Sequence, residues 1–146
     1  MRAIFSALKS LIPDPAHITV VDDDQSVRES LQGLLKSMGF AVKTFDSSEA
    51  FLESDSLPVT QCLILDVRMP GMSGLDLQRE LAASARQIPI VFVTAHYDAN
   101  LRSRVLAEGA LACLRKPFAE QELLSAVSAA LGIESADGDA GGGAQA

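Results

Sequence analysis

No run of apolar residues approaches the roughly 20 that a membrane span needs, so the chain offers no candidate transmembrane helix. Cysteine is scarce. Cys62 and Cys113 both fall in apolar, strand-like runs, and their spacing makes no metal-ligand pattern. Buried thiols behave as small hydrophobes, and such usage fits a reducing cytosol and a cytoplasmic protein. Positive charge is in deficit. Twelve Lys and Arg against 19 Asp and Glu give a formal net charge of −7, which argues against direct nucleic-acid binding. A signal peptide is missing too: Lys9 interrupts the apolar part of the amino terminus, and no small-residue cleavage site follows. There is no internal repeat. No glycine fingerprint follows the first β-branched run, so a dinucleotide or flavin site is disfavoured.

What is present suffices for one domain. The 146 residues are 48% apolar, enough for a full core without disulfides. Residues 1–15 form a separate piece. Ile4, Phe5, Leu8, Leu11 and Ile12 recur at helical spacing, with Arg2, Ser6, Lys9 and Ser10 opposite. Pro13 and Pro15 end that helix and form a short linker. The helix packs on the domain or frays; docking on a partner or a membrane surface are the sharper alternatives. Residues 134–146 are Gly- and Ala-rich and expected to be disordered.

Between these ends, strands and helices alternate five times. His17 to Asp22 is a β-branched strand, and Gln25 to Met38 carries Val27, Leu31, Leu34 and Leu35 on one helical stripe. Ser26 and Glu29 have capping-box spacing there, and Gly39 stops the helix. Ala41 to Phe45 reads as a second strand, and Asp46 caps a short helix from Ser47 to Ser54. Leu75 to Ala85 and Ala119 to Leu131 read as helices, and Asp98 caps another that reaches Glu108; Ile88 to Thr94 and Leu111 to Arg115 read as strands. Such alternation predicts an α/β fold: a doubly wound, flavodoxin-like (βα)5 parallel sheet with strand order 2-1-3-4-5.

The organising stretch is Cys62 to Gly71, CLILDVRMPG. Four apolar residues run into Asp66, and the chain breaks at Met69-Pro70-Gly71, with Gly74 completing a tight loop. This suits a strand buried on both faces. Asp66 either starts a turn or stands in the crevice where open α/β sheets put their ligands. The other strand ends favour the second reading. Asp22 and Asp23 follow the first strand, Thr94 ends the fourth, and Lys116 follows the fifth. Parallel strands bring these to one side. Three converging carboxylates repel unless a cation joins them, and Mg²⁺ is the natural one: it is hard and prefers oxygen. An ionised Asp66 beside it is a nucleophile towards phosphorus, with Thr94 a hydroxyl donor and Lys116 a point charge to the phosphoryl oxygens.

These residues resemble the receiver (CheY-like) domain of two-component response regulators. The motifs are VVDDD with Asp22 and Asp23, LDVRMPGMSG with Asp66, VTAH with Thr94, and RKPF with Lys116 and Pro117. The resemblance covers residues 16–133. The stretches VRESLQGLLKSMGF and FDSSEAFL look most like receivers that precede LuxR-type output domains. It implies a phosphorelay module, not an enzyme acting on a separate substrate, in which Asp66 takes a phosphoryl group from a phosphohistidine on a sensor histidine kinase or phosphotransfer protein. It implies Mg²⁺ held by Asp23, Asp66 and the backbone carbonyl of Arg68, with Asp22 acting through water, and a cis peptide before Pro117. It implies a switch on the face made by the fourth helix, fifth strand and fifth helix, where another copy could pair as a homodimer. Arg68 and His96 stand where the family tunes loss of the phosphoryl group; both are otherwise solvated loop residues.

Two positions depart from the pattern. Cys113 stands where the family carries a Tyr or Phe that rotates inward with the threonine, so a ring-based switch is not expected here. Ala119 replaces the usual capping aspartate of the last helix. Two alternatives are weighed against this reading. One is a Mg²⁺-dependent phosphatase of the haloacid-dehalogenase type, which needs a second aspartate where Arg68 stands. The other is a receiver that acts without phosphorylation.

Overall fold

The computed structural model describes residues 15–133. The expected helix over residues 1–12 with its proline linker, and the expected disordered tail from residue 134, lie outside the described residues.

Five strands form one parallel sheet: β1 (His17–Val21), β2 (Ala41–Phe45), β3 (Cys62–Asp66), β4 (Ile90–Thr94) and β5 (Ala112–Arg115). Their order is β2-β1-β3-β4-β5, as the alternation predicts. Five helices cover it: α1 (Gln25–Ser37), α2 (Ser48–Leu52), α3 (Gly74–Ala83), α4 (Ala99–Ala107) and α5 (Glu120–Leu131). A 3-10 turn, Leu57–Val59, leads into β3.

Side chains alternate across the sheet and build two cores. Leu63, Leu65 and Phe92 face α2, α3 and α4 through Phe51, Leu77, Leu81 and Val105. Cys62, Ile64, Val91 and Val93 face α1 and α5 through Leu31, Leu35, Leu123 and Val127. Every residue of β3 and β4 is buried, so the central strands read as unbroken apolar runs. Burying one such side chain is worth about 1.5–3 kcal/mol.

Three helix starts differ from expectation. Asp24, not Ser26, caps α1: it holds extended backbone, and its carboxylate accepts from the Ser26 and Val27 N–H groups. Ser26 lies inside the first turn, and Glu29 accepts from the Gln25 side chain instead. Ser47, not Asp46, caps α2 by accepting from Ala50 N–H. Helix α3 starts earlier than expected, behind a reciprocal Ser73–Asp76 capping box. Asp98 caps α4 as expected, accepting from Leu101 N–H. Ala119 indeed leaves α5 without a side-chain cap, although Glu122 reaches back to its N–H.

Candidate functional site

All five strands point the same way, so their carboxyl ends share one rim. Register fixes the neighbours: Val21 pairs with Leu65, Asp66 with Val93, and Thr94 with Arg115. Asp22 and Asp23 directly follow Val21, and Lys116 follows Arg115. The rim therefore gathers side chains up to 94 residues apart in sequence.

Carboxylate oxygens of Asp22, Asp23 and Asp66 lie within 4.8 Å of one another. Asp22 is fully buried, Asp66 is 6% exposed, and Asp23 is open to solvent. Lys116 Nζ donates to Asp22 Oδ2 at 2.8 Å and sits 3.5 Å from Asp66 Oδ1. One ammonium thus contacts two of the three carboxylates. Burial pushes the Asp66 carboxyl from 3.8 up to about 7, the Asp22 charge adds to the rise, and Lys116 opposes it. Burial also works against the Lys116 ammonium, but the Asp22 bond and the Asp66 charge outweigh it and hold the lysine above its ordinary range. A cation among these groups would meet only hard oxygen donors and would relieve their repulsion, so the set fits Mg²⁺.

Asp22 is heavily engaged. Its Oδ1 accepts from Asp24 N–H, its Oδ2 from Lys116, and its backbone carbonyl from Arg28 Nη1 at 2.8 Å. Arg28 was not legible as a site residue, because no motif marks an arginine reaching back six residues from α1. Asp24 closes the acidic triplet as a helix cap. Its carboxyl is held below the usual range, first by the Ser26 hydroxyl and then by backbone donors.

Thr94 is buried, and its Oγ1 accepts from His96 N–H at 2.9 Å. The hydroxyl keeps its own proton to donate. The Thr94 carbonyl accepts from Lys116 N–H at 2.8 Å, which ties β4 to the lysine loop. The Lys116–Pro117 peptide is cis, as expected. The side chains of Arg68 and His96 both lie at the rim, exposed to solvent.

Gly74 has a role that its place in a turn did not announce. A Cβ there would stand 2.1 Å from the Asp66 carbonyl oxygen. Only glycine lets α3 begin against the back of the acidic strand. Gly71 has φ +75, and Glu49 of α2 pins that loop by accepting from Met72 N–H at 2.9 Å.

Cys113 is buried, and burial pushes its thiol up. It lines a hollow of about 460 Å³ together with Tyr97, whose ring stacks 4.9 Å from the Arg115 guanidinium carbon. The chain's single tyrosine therefore brings a ring to this face from the loop after Thr94. Its position three residues beyond the threonine was the available signal.

The sequence model described as the response regulator receiver domain matches residues 18–128. Response regulator protein TmoT of Ectopseudomonas mendocina is 47% identical over 114 residues, covering 78% of this chain and 52% of that protein. Nodulation protein W of Bradyrhizobium diazoefficiens is 50% identical over 115 residues, covering 79% and 51%. The chain spans about half the length of these curated relatives. The crystal structure of a response regulator receiver protein from Burkholderia phymatum is 43% identical with a TM-score of 0.70, covering 82% of this chain and 98% of that one. The matches give no support to the phosphatase alternative. No helix among the described residues is long and apolar enough to cross a membrane. With its five-stranded order, its acidic rim and these relatives, the chain belongs to the response regulator receiver domain family.

Proposed function

We propose that Asp66 accepts a phosphoryl group from a phosphohistidine on a sensor histidine kinase or phosphotransfer protein. The P–N bond to the donor imidazole breaks, its electron pair leaves with the ring, and a P–O bond forms to the Asp66 carboxylate. The observation that carries this is the meeting of Asp66 with two more carboxylates and with Lys116, 3.5 Å away, at one rim. Mg²⁺, when bound, supplies charge neutralisation for the carboxylates and the transferring group. Asp23, Asp66 and the Arg68 backbone carbonyl hold it in this reading. Asp22, with both carboxylate oxygens already bonded, acts through water.

Lys116 balances charge on the phosphoryl oxygens, and Thr94 donates its hydroxyl proton to one of them. The acyl phosphate adds about −1.5 to −2 charges. Thr94 and Lys116 closing on that charge bias the α4–β5–α5 face towards a partner, including a second copy as a homodimer. His96 and Arg68 tune the water that later removes the phosphoryl group, so the domain assists both its own phosphorylation and its own dephosphorylation. With Cys113 in place of a ring, the movement of Thr94 is not read out by an aromatic at that position.

Incubation with a small acyl phosphate and Mg²⁺ is expected to label the protein, and Asp66→Ala to abolish the label. Labelling that survives the substitution overturns the assignment; a wild-type chain that takes no label favours a receiver that acts without phosphorylation.

A further inference from the structure

Asp23 is the exposed member of the acidic rim. Lys116 contacts Asp22 and Asp66, whereas among the described residues no hydrogen bond or ion pair reaches the Asp23 carboxylate. Its aim is therefore set by the main chain. The far side of the turn is fixed: Asp22 Oδ1 accepts from Asp24 N–H, and Asp24 caps α1. What remains free is the tilt of the peptide between Asp22 and Asp23.

That peptide lies just past the last rung of β1. Asp22 N–H still donates to Phe45 O at 3.1 Å, but among the described bonds the Asp22 carbonyl accepts from no backbone N–H. Arg28 Nη1 fills the gap at 2.8 Å. The arginine is carried by packed structure. It is half-buried and shares the inward face of α1 with Leu31 and Leu35, both set in the core.

We propose that Arg28 is a positioning residue for the divalent cation: holding the Asp22 carbonyl fixes a planar peptide whose other end is the Asp23 nitrogen, and so aims the Asp23 carboxylate into the site. The inference rests on the reading that Asp23 and Asp66 hold Mg²⁺. Two effects of the guanidinium oppose each other. Its charge repels a cation, so charge alone would make its removal tighten Mg²⁺ binding. Its bond orients a ligand, so its removal loosens binding; losing such a group behind a metal ligand costs about 10–100-fold in affinity. At an open rim the repulsion is screened by salt, and the bond to the carbonyl is direct, so the second effect wins.

A titration with MgCl2, read from amide shifts of the full chain, tests this without any phosphorylation. Arg28→Met keeps an apolar stem against α1 and loses the donor; it is expected to raise the Kd for Mg²⁺ about tenfold. Arg28→Lys keeps a cationic donor and is expected to recover most of that loss. In a chain carrying Asp23→Asn, adding Arg28→Met is expected to change the Kd by less than about twofold, because the ligand it aims is gone. Unchanged or tighter binding in Arg28→Met overturns the proposal. So does an equal loss in the Asp23→Asn background, which marks a general loosening of the fold. A wild-type chain that takes no Mg²⁺ fails the metal reading and this inference with it, whereas a wild type that binds Mg²⁺ beside an unaffected Arg28→Met overturns this inference alone.

Discussion

Asp66→Asn should change stability in a way that depends on pH. The wild-type carboxyl is pushed from 3.8 up to about 7, chiefly by burial. The folded chain therefore binds a proton more tightly than the unfolded chain. A raised folded value means that the group's stability contribution is complete below about 3.8 and is lost as pH rises through about 7. The full shift corresponds to about 4 kcal/mol. An amide at the same place carries no such penalty. In EDTA, the stability of the variant relative to wild type should rise by about 2–3 kcal/mol between pH 5 and pH 8. That opens the difference in Tm by about 6–12 °C for a domain of this size. Differential scanning fluorimetry of both proteins across that range measures it. Mg²⁺ at pH 8 should raise the Tm of wild type more than that of the variant, because a cation favours the ionised carboxylate. A gap that stays flat or narrows with rising pH would refute the claim that ionised Asp66 is strained in the metal-free fold.

Gly74→Ala should cost about 3 kcal/mol in urea unfolding, because the new methyl meets the Asp66 carbonyl at 2.1 Å and backbone must move; an unchanged midpoint would contradict this. Lys116→Met removes the ammonium from Asp22 and Asp66, so it should lower stability by about 2–3 kcal/mol at pH 8 and abolish rapid labelling by acyl phosphate. Label accumulating at the wild-type rate would deny Lys116 its role. Ala119→Ser gives α5 the side-chain acceptor it lacks and should raise stability by about 1 kcal/mol. No shift in the unfolding midpoint would show that the Glu122 contact with Ala119 N–H already suffices.

The sheet was legible because its signal is redundant. Cys62 to Asp66 and Ile90 to Thr94 are fully buried apolar runs, and their polar last residues mark the rim. Once the strand order follows from alternation, Asp22, Asp66, Thr94 and Lys116 must converge. Helix starts were less legible, since adjacent short polar residues compete for one cap. Asp24 and Ser26 both suit the start of α1, and backbone conformation decides between them. Contacts between distant loops left no local mark: Arg28 on the Asp22 carbonyl, Glu49 on the Met72 amide, and Gly74 against Asp66 depend on the folded geometry. Tyr97 carries no motif of its own: it stands three residues beyond Thr94, and its stacking with Arg115 depends on the folded geometry.

The atom to which phosphorus becomes bonded distinguishes Asp66 from its acidic neighbours. Reduction of the phosphorylated chain with borohydride converts an aspartyl phosphate to homoserine, and peptide mass mapping locates it. Homoserine at position 66 alone, formed only when Mg²⁺ is present, is the predicted result. Homoserine at position 22 or 23, or phosphate recovered on a hydroxyl or imidazole with position 66 intact, would contradict it.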